Sequence, residues 1–257
     1  MQEESTRRSA QQIFEKVTQS AEDELARSSR ALAFSGIAGG MGMGLTGLAV
    51  AAVQNIIGTG PWAEFVSLLF YPLGFVSVII GRAQLFTENT LFPVALILSQ
   101  GRRHVPNTIR LWGVVFFSNV IGAVLFAVVT MKTGALPYAL GARLASIGIQ
   151  SVQGAPHHIF WSGVIGGWII ALMAWTVTAS RWTIAQVIVT WMLTAVVGIG
   201  HFAHCIATSG EILSAVLTSQ VPLHHYLSWL LFATLGNVVG GVTFVTLLNY
   251  GQVHAED

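Results

Sequence analysis

Residues 81–90 read Gly81-Arg82-Ala83-Gln84-Leu85-Phe86-Thr87-Glu88-Asn89-Thr90 and interrupt a long apolar segment. The apolar runs on either side, residues 65–80 and 91–98, are each shorter than the roughly 20 residues that a membrane-spanning helix needs. Charges such as Arg82 and Glu88 are costly inside a bilayer and usually face a cavity or a partner. Irregular backbone is tolerated there only inside protein or along a water-filled path. The stretch therefore predicts a broken membrane helix that lines a path for a polar solute.

The composition of the whole chain agrees with a membrane location. The 257 residues are 53% hydrophobic and 9% charged, with a mean hydropathy of +0.68. Soluble domains carry about 25% charged residues, so we predict an integral membrane protein. The net charge of +1 indicates no nucleic-acid partner, and the single cysteine, Cys205, excludes an intrachain disulfide.

Hydropathy divides the chain into six predicted spans. They cover residues 31–57, 62–99, 111–131, 157–179, 184–217 and 225–250, and residues 132–156 are expected to be a loop. The predicted segments are a cytoplasmic amphipathic helix in residues 1–30, a channel domain in 31–250 and a cytoplasmic tail in 251–257. For the amphipathic helix we favour a solvated leader over a lid at a pore mouth.

The distribution of lysine and arginine predicts the orientation. Of the 12 basic residues, nine fall in the N-terminal segment, the 100–110 loop and Arg181, and only Lys132 and Arg143 fall on the other side. Arg82 is assigned to the membrane interior. By the positive-inside rule both termini are expected in the cytoplasm.

An internal repeat relates the two halves. Ser118-Asn119-Val120-Ile121-Gly122-Ala123 recurs 118 residues later as Gly236-Asn237-Val238-Val239-Gly240-Gly241. The same offset maps Phe86 and Thr87 onto His204 and Cys205, in a second polar break. Each half has three spans, so the halves run in opposite directions, a pattern that places a substrate site where the breaks meet. The Asn119 and Asn237 amides are expected to cap backbone groups of the breaks.

At these residues the chain resembles the formate/nitrite transporter family, and most closely its YfdC branch. The marks of the family are Leu85-Phe86-Thr87, His204-Cys205-Ile206-Ala207 and the paired Asn-x-x-Gly motifs. The stretches at residues 82–90 and 110–115 are the ones that resemble the YfdC branch. The resemblance implies an all-α, aquaporin-like protomer of six spans with an inverted repeat and its own pore. It also implies a pentamer in the bacterial inner membrane that passes small monovalent anions such as formate, nitrite, hydrosulfide, acetate or lactate.

The resemblance also assigns candidate residues of the substrate pathway. Thr87 matches the pore-facing threonine of the family and His204 its central histidine. Tyr71 and Phe75 match one narrowing of the pore, and Val197 matches a position near the opposite narrowing. The remaining pathway candidates are the loop residues Leu85 and Phe86, together with Thr208. This sequence departs from the family at Gln84, Ala203 and Thr208, which alters the surroundings of the histidine.

The chemistry of these residues favours transport of a weak acid. Burying an unpaired anion costs several kcal/mol, and a proton removes that cost. Histidine changes charge near neutral pH, so His204 could supply the proton, with Thr87 fixing its tautomer. His201 and His204 lack an acidic third ligand, so neither a metal nor a cofactor is predicted.

Three charged residues in the two breaks remain to be explained. We favour an ion-pair network in which Arg82 bridges Glu88 and Glu211, so that Arg82→Met would damage folding. The alternative is that Arg82 attracts the anion.

Other functions stay open at this point. A neutral small-solute channel is one, although the paired Asn-Pro-Ala loops of aquaporins are absent, and a non-transporting membrane scaffold is another. An enzyme is not expected, since no Ser/His, paired-Asp or metal-ligand constellation is present.

Overall fold

The computed structural model describes residues 8–255, so residues 1–7 and 256–257 of the predicted N-terminal segment and tail lie outside it. Helices α1–α7 are Ala10–Ala26, Ser29–Met43, Leu45–Ile57, Pro61–Leu68, Pro72–Ile80, Phe92–Gln100 and Val105–Lys132. Helices α8–α13 are Tyr138–Val152, Pro156–Ala179, Thr183–Ile199, Ser209–Leu217, Leu223–Gly241 and Leu248–His254. A π-helical segment, Val242–Leu247, joins α12 to α13. Residues 8–255 contain no strand, and the predicted all-α fold is confirmed.

The helices have the lengths that a membrane protein requires. Five helical stretches are long and apolar enough to cross a membrane: Ser29–Ile57, Pro61–Ile80, Arg102–Lys132, Pro156–Ala179 and Leu223–His254. The remaining crossing is divided between α10 and α11 by the break at residues 200–208, which contains His201, His204 and Thr208. Large apolar side chains such as Phe117, Met192 and Leu231 are exposed on the outside of the bundle, where lipid would cover them. The chain is therefore a multi-pass membrane protein.

The two halves pack in the same way. Helix α2 packs against α7 in the first half, and α9 packs against α12 in the second. The close approach depends on equivalent glycines, because a Cβ atom on Gly40 would overlap the Asn119 carbonyl and one on Gly167 would overlap the Asn237 carbonyl. Small residues at such crossings let membrane helices approach closely.

Helix α1 is docked onto the bundle. Its apolar side chains Ile13, Phe14, Val17, Ala21 and Leu25 are buried, and the helix packs against α6, α9 and α13. Arg110 of α7 donates hydrogen bonds to the carbonyls of Leu25 and Arg27 at 2.6 and 3.0 Å. The expectation of a solvated leader helix is wrong, because the apolar stripe of α1 faces the protein.

The prediction of a loop at residues 132–156 is also wrong, since most of this segment forms α8. Gly141, Leu144, Ala145 and Gly148 recur at helical spacing and are buried. Helix α8 packs against α11 and α3, so it forms part of the wall around the second break.

The chain alternates between two faces of the bundle. The N-terminal face carries α1 and the connections at residues 101–104 and 180–182. The opposite face carries the connections at residues 58–60, 133–137, 153–155 and 218–222.

Candidate functional site

The two breaks meet through Thr87 and His204. Thr87 lies between α5 and α6, and His204 lies between α10 and α11. The Thr87 Oγ1 and His204 Nε2 atoms are 2.7 Å apart, and both residues are fully buried. Residues 117 positions apart in sequence thus form one polar pair within an apolar core.

The hydrogen bonds of the His204 ring define its tautomer. The Ala207 backbone N–H donates to Nδ1 at 2.9 Å, so Nδ1 carries no proton. The proton of the neutral ring is therefore on Nε2, which donates to Thr87 Oγ1. Within residues 8–255 the Thr87 hydroxyl proton has no acceptor of its own. The sequence predicted that Thr87 fixes the tautomer of His204, whereas the backbone N–H of Ala207 determines it.

Asn119 holds the first break in place. Its Oδ1 accepts the Phe86 N–H at 2.8 Å, and its Nδ2 donates to the carbonyls of Gly36 and Gln84 at 2.7 and 2.8 Å. These bonds satisfy backbone groups that the break removes from helical pairing.

Asn237 does the same in the second break. Its Oδ1 accepts the Cys205 N–H at 2.9 Å, and its Nδ2 donates to the carbonyls of Gly163 and Ala203, both at 2.8 Å. Phe86 therefore corresponds to Cys205, an offset of 119 residues rather than the 118 that separates the asparagines. The predicted mapping of Phe86 onto His204 was wrong by one residue, because the breaks and the flanking helices differ in length.

Aromatic rings separate this pair from the opposite face. The Phe75 ring meets the His204 ring edge-on, with centroids 5.1 Å apart, and Tyr71 lies 5.7 Å beyond Phe75. Gly198 leaves room for the Tyr71 ring, since a Cβ atom there would lie 2.8 Å from it. Phe86 points elsewhere, into a cluster with Phe116 and Trp112 at 5.1 and 5.9 Å. Buried Leu85 precedes it.

A cavity of about 390 Å³ lies on the other side of Tyr71. We call it the Glu211 cavity. Among its lining residues are Tyr71, Val197, Thr208, Glu211, Ser151 and His201. Residues such as Gln54 and Gln153, at the ends of α3 and α8, place its mouth on the opposite face. Val197 was expected near the opposite narrowing, but it lines the same cavity as Tyr71. Ser151 was missed because its helix was taken for a loop.

The predicted network of Arg82, Glu88 and Glu211 is not formed. The ion pairs among the described residues are Arg27–Glu24 at 2.9 Å and His201–Glu64 at 3.4 Å. Arg82 is exposed, and Glu88 is half-buried within electrostatic range of Arg82 and Glu24 of α1. Glu211 is only 3% exposed and lines the cavity in the other half.

Inverted symmetry explains why these charges stay apart. Arg82 and His201 are the tips of the two breaks, 119 residues apart, and both have positive φ, 60° and 50°. His201 lies at the Glu211 cavity on the opposite face. Its counterpart Arg82 therefore faces the N-terminal face, too far from Glu211 for an ion pair.

No metal site forms from the described residues, since no three His, Cys, Asp or Glu side chains gather within residues 8–255. The polar centre is thus a hydroxyl and an imidazole, reached through an aromatic layer from a cavity with carboxylates.

Comparison with known proteins identifies the fold. A family model described as formate/nitrite transporter matches residues 11–251. The chain belongs to the formate/nitrite transporter family. Among similar proteins, the inner membrane protein YfdC of Escherichia coli (strain K12) is 31% identical over 95% of this chain and 79% of its own length. The probable formate transporter of Methanothermobacter thermautotrophicus is 30% identical over 72% and 75% of the two chains.

Solved structures of formate/nitrite transporters share the architecture. A chain described as an FNT family ion channel superposes with a TM-score of 0.83 at 18% identity, covering 93% of this chain and 98% of that one. A pentameric formate channel with formate bound gives a TM-score of 0.72 at 20% identity, covering 86% and 96%. These identities show the fold, and the function has to be argued from the site.

Proposed function

We propose that each protomer conducts small monovalent anions of weak acids, such as formate, acetate, nitrite or hydrosulfide. The observation that carries this proposal is the 2.7 Å contact between Thr87 and His204 where the two breaks meet. It presents one free hydroxyl proton in an otherwise apolar centre, enough to contact a single small oxyanion. The formate channels among the relatives agree with this substrate class.

A narrower proposal is that passage is coupled to a proton carried by His204. An anion that crosses the layer of Phe75 and Tyr71 loses its hydration, and protonation removes most of that cost. In the observed geometry the ring can accept a second proton only at Nδ1, which the Ala207 N–H occupies. Coupling therefore requires the ring to leave Ala207 during the cycle.

For the cellular setting, we propose a pentamer in the bacterial inner membrane with both termini in the cytoplasm. The names of two relatives, an inner membrane protein and a pentameric formate channel, support the location and the assembly. The excess of basic residues on the N-terminal face supports the orientation.

An anion panel in proteoliposomes tests the substrate proposal. Formate, acetate, nitrite, hydrosulfide and uncharged glycerol would be offered to the reconstituted protein with and without an inward proton gradient. We expect faster entry of one or more weak acids than in empty liposomes, with stimulation by the gradient if coupling operates.

Two results would contradict the substrate proposal. Selective entry of glycerol would indicate a neutral-solute channel. Entry of every compound at the rate of empty liposomes would indicate a scaffold.

A further inference from the structure

Two carboxyl side chains line the Glu211 cavity, which lies on a path proposed for anions. Glu211 and Glu64 are its carboxylates, and among the described residues neither lysine nor arginine lines it. Glu64 lies at the rim with 46% of its side chain exposed and pairs with His201 at 3.4 Å. Solvent screens that pair, so the buried Glu211 is the stronger source of field within the cavity.

Glu211 has no ion-pair partner in the described part of the chain. Its residue is 3% exposed, and no ion pair to its carboxylate forms within residues 8–255. Thr46 and Ser151 lie within interaction range. However, each hydroxyl donates to a carbonyl of its own helix, to Met43 at 2.8 Å and to Ile147 at 3.0 Å.

Two glycines create the space that Glu211 occupies. A Cβ atom on Gly47 of α3 would overlap the Glu211 side chain, and one on Gly148 of α8 would overlap its backbone carbonyl. The carboxylate is thus held against the cavity wall by α3 and α8 rather than by a counter-ion.

The other titratable groups that line the cavity are few. They are Tyr71 from α5, His158 from α9, and the rim pair of Glu64 and His201. Only the two histidines could offset the charge of Glu211, and they do so only when protonated.

We propose that Glu211 makes this mouth a filter against free anions, so that substrate crosses the Glu211 cavity as the uncharged acid. This inference rests on the proposed function and adds the charge state of the substrate at one face. A weak acid escapes the repulsion because its oxygen carries the proton through the cavity. Nitrate keeps its charge throughout the physiological pH range and has no such route.

Entry of nitrate and formate into proteoliposomes at pH 6 and pH 8 tests the filter in wild type, Glu211→Gln and Glu15→Gln. Glu211→Gln keeps the side-chain volume and removes the charge. Glu15 lies on the exposed side of α1, so its variant controls for a change of net charge outside the cavity. A fixed charge in the path opposes anions in both directions, so random orientation of the protein does not mask the effect.

At pH 8 we expect the nitrate-to-formate rate ratio to rise roughly tenfold in Glu211→Gln, a usual size for electrostatic focusing in a cleft. The ratio in Glu15→Gln should equal that of wild type. An unchanged ratio in Glu211→Gln would overturn the proposal. Nitrate entry that still slows from pH 6 to pH 8 in this variant would assign the effect to His158 and His201 instead.

Two further observations keep the outcomes separate. If Glu211→Gln fails to assemble, nitrate entry into wild type alone still decides, because it should be slower at pH 8, where Glu211 is more fully ionised, than at pH 6, and an equal rate at both pH values would overturn the filter. If wild type transports formate no faster than empty liposomes, the proposed function itself fails.

Discussion

Arg82 shows at the residue scale how a charge in a hydrophobic sequence can be misplaced. Its position between two apolar runs predicted a buried ion pair, yet the side chain is exposed at the tip of the first break. Because the tip of the break lies near one face of the bundle, water solvates the Arg82 side chain and no counter-ion is needed.

We therefore expect Arg82→Met to assemble normally and to change the free energy of unfolding by no more than about 0.5 kcal/mol, as exposed substitutions usually do. Thermal unfolding in mild detergent, with size-exclusion chromatography for assembly, measures both quantities. A loss of several degrees in melting temperature would contradict this expectation and support the ion-pair network that the sequence predicted. Normal stability with reduced anion entry would instead support Arg82 as an attractor.

At the element scale, the breaks depend on the two asparagines. Asn119→Ala would leave the Phe86 N–H and the carbonyls of Gly36 and Gln84 without partners in a buried region. We expect a loss of about 3 kcal/mol or more, because each buried unsatisfied group costs about 1–3 kcal/mol. Asn237→Ala should behave alike.

Asn249→Ala is the matched control for these variants. Asn249 is half-buried and makes one 2.8 Å bond to a carbonyl within its own helical region, so its removal should cost much less. Differential scanning fluorimetry of all three variants decides the matter. Equal melting temperatures for Asn119→Ala and Asn249→Ala would show that the amide does not hold the break.

The sequence predicted the elements that hydropathy and repetition define. The broken span and the inverted halves follow from polar residues at repeated positions, whereas the central roles of Thr87 and His204 came from the family resemblance. The amino-acid sequence does not show which backbone N–H groups donate to side chains, so the hydrogen bond from the Ala207 N–H to His204 was not predicted. Helix α8 was not predicted because its glycines and serines are typical of a loop. Packing against α11 stabilises it as a helix.

At the scale of the whole molecule, the protomer leaves much apolar and aromatic surface uncovered. Trp62, Trp161 and Trp182 are 76%, 61% and 70% exposed. Lipid covers part of such a surface, and neighbouring protomers can cover more of it.

We predict a pentamer, measured by native mass spectrometry in mild detergent. The expected mass is five times that of one 27.5 kDa chain plus bound lipid. Spectra with only monomers or only tetramers, from protein that retains its helical circular dichroism, would contradict the proposed assembly.

The central claim is that solutes pass the Thr87–His204 pair, and formate uptake into proteoliposomes from pH 5 to pH 8 tests it most directly. Thr87→Val removes the free hydroxyl proton and should slow uptake about tenfold, the effect of losing one hydrogen bond to a charged group. His204→Asn retains a donor and an acceptor but cannot titrate, so its remaining uptake should vary less with pH than that of wild type. Uptake at the wild-type rate with the wild-type pH profile in both variants, from intact pentamers, would contradict the account.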